Sequence, residues 1–286
     1  MKFGSFIGII ILCVFTSFSL LMADDSDFDD VVDWAWHGKF NPFIELTSGA
    51  LSLKHQKFSS PLPEHNGAEV KLGYSQIQEF RRNVWEMDER FVFGSYIDKD
   101  VPGIMSTDEN DLTVRITRFG FGNRMAYGYQ FGKQVEFLPY FQNGLVWTKI
   151  KTDRPGDLSQ EDSNILDRYE GVYRFGMHAE GGIKLQLFNS LGLVGSYELG
   201  VVYPRHIFWP WVGSNMIMQI GMGLISAFGD DIVRASPSFG PIFYFLLKNG
   251  LAYGFYQGVK EKMNWPFNSE TPMTLETVKL GISFTF

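Results

Sequence analysis

The sequence predicts an all-β chain. The expected form is an antiparallel up-and-down transmembrane β-barrel of eight to ten strands, with a possible helical or loop insert around 205–235. Three observations point there: an apolar leader, one long hairpin of unbroken alternation, and a last strand with one apolar and one polar face.

The leader opens with Met1 and the cation Lys2, runs almost wholly apolar from Phe6 to Leu21, and meets Asp24 and Asp25 abruptly. A basic start, a short apolar run and a polar boundary make a secretory signal peptide, here 1–23. Cleavage fits after Ala23, or after Ser19. A permanent anchor helix is the alternative, because the run approaches the ~18 residues at which a spanning helix becomes plausible. Cys13 lies in mid-run behind Leu12, unlike a lipoprotein cysteine. It is the only cysteine, so the processed chain would hold no disulfide, thiolate metal site or thiol nucleophile. An acidic periplasmic leader follows at 24–38, and the barrel domain is expected over 39–286.

The strongest strand signal is at 174–187. Phe175, Met177, Ala179, Gly181, Ile183, Leu185 and Leu187 alternate with Arg174, Gly176, His178, Glu180, Gly182, Lys184 and Gln186. Residues 188–190 turn, and the return strand puts Leu191, Leu193, Tyr197, Leu199 and Val201 on one face. Globular strands average about six residues, whereas a membrane-crossing strand needs about ten. Shorter runs of the same kind fall at 41–51, 67–77, 90–97, 111–122 and 137–151. Polar connections at 52–66, 98–110 and 152–167 alternate with shorter ones at 78–89, 123–136 and 188–190. Long loops on the outer side and short turns on the periplasmic side are usual in such barrels. Both chain ends then lie on the periplasmic side, which requires an even strand number.

The segment from Pro204 to Pro272 reads two ways. Residues 207–229 carry no charge, long enough for a spanning helix, yet Pro210, Gly213, Gly221 and Gly223 weaken one. Runs at 238–247 and 251–260 flank Asn249-Gly250, a strong hairpin signal. Two extra strands here give ten, the preferred number. As helices, with Gly250, Gly254 and Gly258 on one face, they leave eight. Phe208-Trp209-Pro210-Trp211 fits an anchor at a membrane interface.

The last strand places Val278, Leu280, Ile282, Phe284 and Phe286 on one face and Thr277, Lys279, Gly281, Ser283 and Thr285 on the other. Lys279, Gly281, Phe284 and Phe286 occupy, in order, the positions of the C-terminal assembly signal of bacterial outer-membrane barrels, which this end resembles. The resemblance implies Gram-negative secretion across the inner membrane, insertion by the barrel-assembly machinery, and residence among outer-membrane lipid. With its signal peptide and alternating strands, the chain is similar to the small OmpA-like or OmpW-like barrels as a broad group.

Composition supports this. A net charge of −7 argues against nucleic acid, whose phosphates need basic patches. The 16% aromatic content suits aromatic girdles. No Gly-x-Ser-x-Gly elbow, HExxH motif or Walker loop occurs, and no cofactor is expected. His55 and His65, in or beside one loop, read as solvated rather than as a metal site. Arg174, His178, Glu180, Lys184 and Glu198 are expected to pair as a polar network in a narrow lumen, where buried charges need partners. Three functions remain open: a structural, surface-interaction or narrow-transport barrel, porin-like in form, of unknown ligand; a barrel enzyme acting on lipid or peptide through His178, Glu180 and Glu198, or by a rim pairing of His206 with Asp230-Asp231; and a soluble or inner-membrane protein with a helix at 207–229.

Overall fold

Eight strands pair in sequence order and close on themselves: β1 Asn41–Lys54, β2 Glu64–Arg81, β3 Val84–Asp98, β4 Thr113–Phe131, β5 Val135–Asp153, β6 Tyr173–Leu187, β7 Leu191–Val202 and β8 Met273–Thr285. The structure is a computed structural model that describes residues 40–286, except 60, 61, 63, 82, 103–111, 133, 157 and 189. The expected signal peptide and acidic leader lie outside the described residues, as do Asn189 of the 188–190 turn and most of the 98–110 loop.

Every neighbouring pair is antiparallel. The barrel shuts where β1 meets β8, with Leu46 opposite Ile282. The start of β1 and the end of β8 share one rim, as the even strand number requires. At that rim the connections after β2, β4 and β6 are only two or three residues long. Asn83 and Gly132 supply the left-handed backbone that such tight reversals need. The longer turns expected at 78–89 and 123–136 are instead paired strand. Gln76 faces Asp88 and Gln78 faces Glu86 across β2 and β3. Both faces are partly polar there, so the twofold hydropathy contrast fades while the backbone ladder continues.

The preference for ten strands is corrected by the structure. Residues 207–229 and the runs around Asn249-Gly250 are helical: α2 spans Phe208–Ala235 and α3 spans Gly240–Val259. A shorter helix, α1, spans Gln160–Asp167 in the loop after β5 and is capped by Ser159, whose hydroxyl accepts from the Asp162 amide at 3.1 Å. Pro241 sits in the first turn of α3, where its missing N–H costs nothing. Asn249 does not turn the chain; its amide donates to Phe245 O, one helical turn back, at 2.9 Å. Direct pairing of β7 with β8 leaves no place for further strands.

The helical hairpin lies against the outer wall. Met218, Met222 and Ala252 pack on Phe141, while Trp211, Tyr256 and Val259 pack near Leu199 and Val201. At the short-turn rim Tyr127 Oη donates to Asp230 Oδ1 at 2.5 Å, and Arg81 Nη1 donates to Arg234 O at 2.8 Å. Away from the helices many outward side chains are apolar, among them Leu72, Val92, Phe119, Leu193, Val278 and Leu280.

Candidate functional site

The inward faces of seven strands contribute charges to one lattice, and β5 adds Gln142. Odd positions of β1, β2, β3 and β8 point inward, as do even positions of β4 to β7. This brings together Glu45, Glu69, Lys71, Glu89, Arg118, Arg124, Glu180, Lys184, Glu198 and Lys279, all buried. Five acids meet five bases, so these ten charges balance.

Its centre is Arg124. The guanidinium forks onto Glu45, Nη1 to Oε2 and Nη2 to Oε1, both at 2.7 Å. Nη1 also donates to Glu89 Oε2 at 2.8 Å, and Nε to Gln142 Oε1 at 3.1 Å. Paired parallel donors of this kind are among the strongest ion-pair geometries. The Arg124 cation also lies 4.3 Å from the Tyr140 ring centre. Lys184 holds the other Glu89 oxygen at 2.6 Å. Lys71 reaches Glu45 at 3.2 Å, and Glu69 and Glu180 at 3.4 Å each.

On the long-loop side of Arg124, Glu69, Glu180 and Glu198 converge closely enough to hold a cation. Lys279 occupies that position. Its ammonium reaches Glu69 at 2.9 Å, Glu180 at 3.1 Å, and Glu198. Arg118 also pairs with Glu198. A resident ammonium with three carboxylate partners leaves the trio a poor metal site.

Of the expected network, His178, Glu180, Lys184 and Glu198 come together. Arg174 is on the same inward face but only half-buried at the long-loop end of β6, and it joins none of these pairs. His178 stacks edge-on to Phe93 at 5.1 Å, and its Nε2 lies 3.4 Å from Gln142 Nε2. Among the described residues no carboxylate hydrogen-bonds to it, so the arrangement for general-base work is not formed. His206 and Asp230-Asp231 also stay apart: one precedes α2 and the others close it, more than 30 Å away at about 1.5 Å per residue. His65 is not solvated; it points inward and accepts from the Val114 amide at 3.1 Å. Lys279, expected within an assembly signal, turns inward with Gly281, while Phe284 faces out.

Sequence reasoning missed Glu45, Glu69, Lys71, Glu89, Arg118, Arg124 and Gln142. Parity alone would have found Glu69 and Lys71 on β2, but on β1, β3 and β4 the inward face also carries Leu51, Phe91, Phe93, Val114 and Ile116, so polarity did not mark Glu45, Glu89, Arg118 or Arg124 as inward.

The lattice is sealed at both ends. Toward the long loops Leu51, Ile97, Ile116, Ile150, Val202 and Leu275 fill the bore, with Leu166 and Tyr169 from the β5–β6 connection above them. Toward the short turns Met87, Leu138 and Val194 close it. The cavity between Thr47, Ser95, Arg118 and Thr277 measures ≈ 20 Å³, about enough for one water molecule. An eight-stranded bore is just wide enough to be filled by side chains, and this one is.

No protein-family model matches the chain. No curated protein matches it either. Among solved structures it is similar to Neisserial surface protein A, at 8% identity over 86% of this chain and 97% of that one, with a TM-score of 0.42. The attachment invasion locus protein Ail of Yersinia pestis is 7% identical over 86% and 99%, with a TM-score of 0.30. The outer membrane protein OprG from Pseudomonas aeruginosa is 10% identical over 87% and 97%, with a TM-score of 0.26. The assignment as an eight-stranded closed antiparallel barrel rests on the chain's own strand pairing.

Proposed function

We propose that the chain is an outer-membrane β-barrel without a pore or an active site, serving the envelope as a structural or surface-interaction element. The observation that carries this is the lattice of ten paired charges from seven strands, joined by Gln142 of β5 and capped by apolar side chains at both ends. Lipid on the outside requires a closed sheet with an apolar outer face, and this barrel has both. Of the three roles left open for a non-catalytic barrel, passage of solutes is the one a filled bore disfavours. Insertion by the barrel-assembly machinery, through the strand carrying Lys279, Gly281, Phe284 and Phe286, belongs to the same reading.

Fractionation tests the location, with gel mobility compared before and after boiling. Planar-bilayer recording of the folded protein tests the function. The expected result is outer-membrane location, a heat-dependent mobility shift and no discrete conductance steps. Regular steps of one size from the wild-type chain would overturn the sealed-barrel reading.

A further inference from the structure

We infer that the α2–α3 hairpin is itself embedded in the bilayer, flattened against the barrel wall with its outer side in contact with lipid acyl chains. This rests on the reading of the barrel as membrane-spanning.

The hairpin runs the height of the barrel. Trp211 lies near Phe175 at the long-loop end, Asn249 approaches Tyr140 O at mid-height, and Ser238 O accepts from Tyr129 Oη at the short-turn rim. The charge-free stretch 207–229 and the twenty residues of α3 have helical lengths of about 34 Å and 30 Å, against roughly 30 Å of hydrocarbon. The exposed side of the pair is mainly apolar, with Ile217, Ile220, Leu224, Phe228, Phe243 and Leu246 beside Tyr253. It continues the apolar band of the bare wall at Ile183, Leu193 and Val278.

Charge is confined to the ends. Asp230, Asp231 and Arg234 close α2, while Lys260, Glu261 and Lys262 follow α3. Trp209, Trp265 and Phe239 mark the two ends, where aromatic side chains favour the interface. Lys248 is the exception within the span. It faces inward, and its ammonium donates to Met222 O at 2.8 Å and Ser226 Oγ at 2.6 Å. Small residues bring the elements close, as between membrane helices. Gly229 meets Tyr244, Gly221 meets Leu251, and Gly181 of the wall admits the Asn249 amide. Of the three glycines expected on one face of this helix, Gly250 and Gly254 face open space and Gly258 lies under Trp265.

The test uses single cysteines in a Cys13→Ser background, which has no other thiol. Ile220→Cys and Leu246→Cys report the hairpin, Leu280→Cys the bare wall, and Gln160→Cys the loop side. Each is labelled with bimane in dioleoylphosphatidylcholine vesicles containing a nitroxide-bearing phosphatidylcholine. The three wild-type apolar side chains are similarly exposed, at 54%, 58% and 57%. Quenching at 220 and 246 equal to that at 280, with none at 160, supports the inference. Quenching at 280 alone, with 220 and 246 open to a water-soluble thiol reagent, overturns it and leaves the barrel reading intact. Protection of 220 and 246 from both lipid and water overturns it in favour of a second protein surface. Loss of quenching at 280 overturns the membrane reading and the inference together.

Discussion

Arg124→Met removes the cation that ties Glu45 to Glu89. The wild-type side chain is fully buried and makes four hydrogen bonds to those carboxylates and Gln142. Met keeps most of the volume, so the loss is electrostatic. Five acids then face four bases in a bore without room to rehydrate them. Glu89 keeps Lys184 at 2.6 Å, but Glu45 retains only Lys71 at 3.2 Å. Breaking a buried pair by removing one partner costs about 3–5 kcal/mol, or two to four powers of ten in the folded ratio. The double variant R124M/E45Q returns the lattice to four acids and four bases. It is expected to recover at least ~1 kcal/mol of that loss, within the usual coupling range of neighbours. Urea unfolding in detergent, followed by tryptophan fluorescence and by mobility without boiling, measures both. A single variant within about 1 kcal/mol of wild type, or a double no better than the single, would refute the lattice as a mutually dependent unit.

Tyr127→Phe deletes the hydroxyl bound to Asp230. It should loosen the α2–α3 end by about 1–2 kcal/mol, since Asp230 is half-exposed and its bond is partly screened; faster amide exchange over 230–240 is the readout. Asp162 joins α1 to the β1–β2 loop by accepting from the Ser59 amide at 3.0 Å and its hydroxyl at 2.5 Å. Burial pushes its carboxyl up, but bonds from Ser59 and Ser159 outweigh this and hold it below the ordinary 3.8. Its contribution is therefore full above 3.8 and lost as pH falls through the lower folded value. Exchange at the Ser59 amide should rise in that acid window for the wild type, and already at neutral pH for Asp162→Asn. At Gly281 a side chain would collide with Leu46 O and Thr47, where β8 meets β1. Gly281→Val should lower the refolded yield in detergent alone, where no assembly machinery is present; an unchanged yield would confine the role of Gly281 to assembly.

The barrel was legible because lipid-type and lumen-type side chains alternate at period two in β6 and β7, where the contrast is greatest. It was less legible at the short-turn ends of β2 to β4. There Gln78, Glu86 and Asp88 face outward, and polarity no longer distinguishes the two sides. The hairpin misled for a different reason. Asn249-Gly250 between apolar runs is a turn signal only where strands can pair, and closure of β7 on β8 had removed that option. Within the lattice, His178, Glu180, Lys184 and Glu198 were visible as one strand pair. Arg124 was not, because its partners Glu45 and Glu89 lie 79 and 35 positions away in the chain.

Lys248 has its partners only once the hairpin has closed. Taken as an isolated helix in a bilayer, α3 would present that ammonium at the middle of a largely apolar stretch. A central lysine costs an isolated inserting helix about 2.5–3.5 kcal/mol, as much as several leucines return. The neighbouring Asn249 adds to the penalty. On the membrane reading proposed above, α3 is therefore suited to lipid only beside its own partner helix, where Met222 O and Ser226 Oγ take up that ammonium.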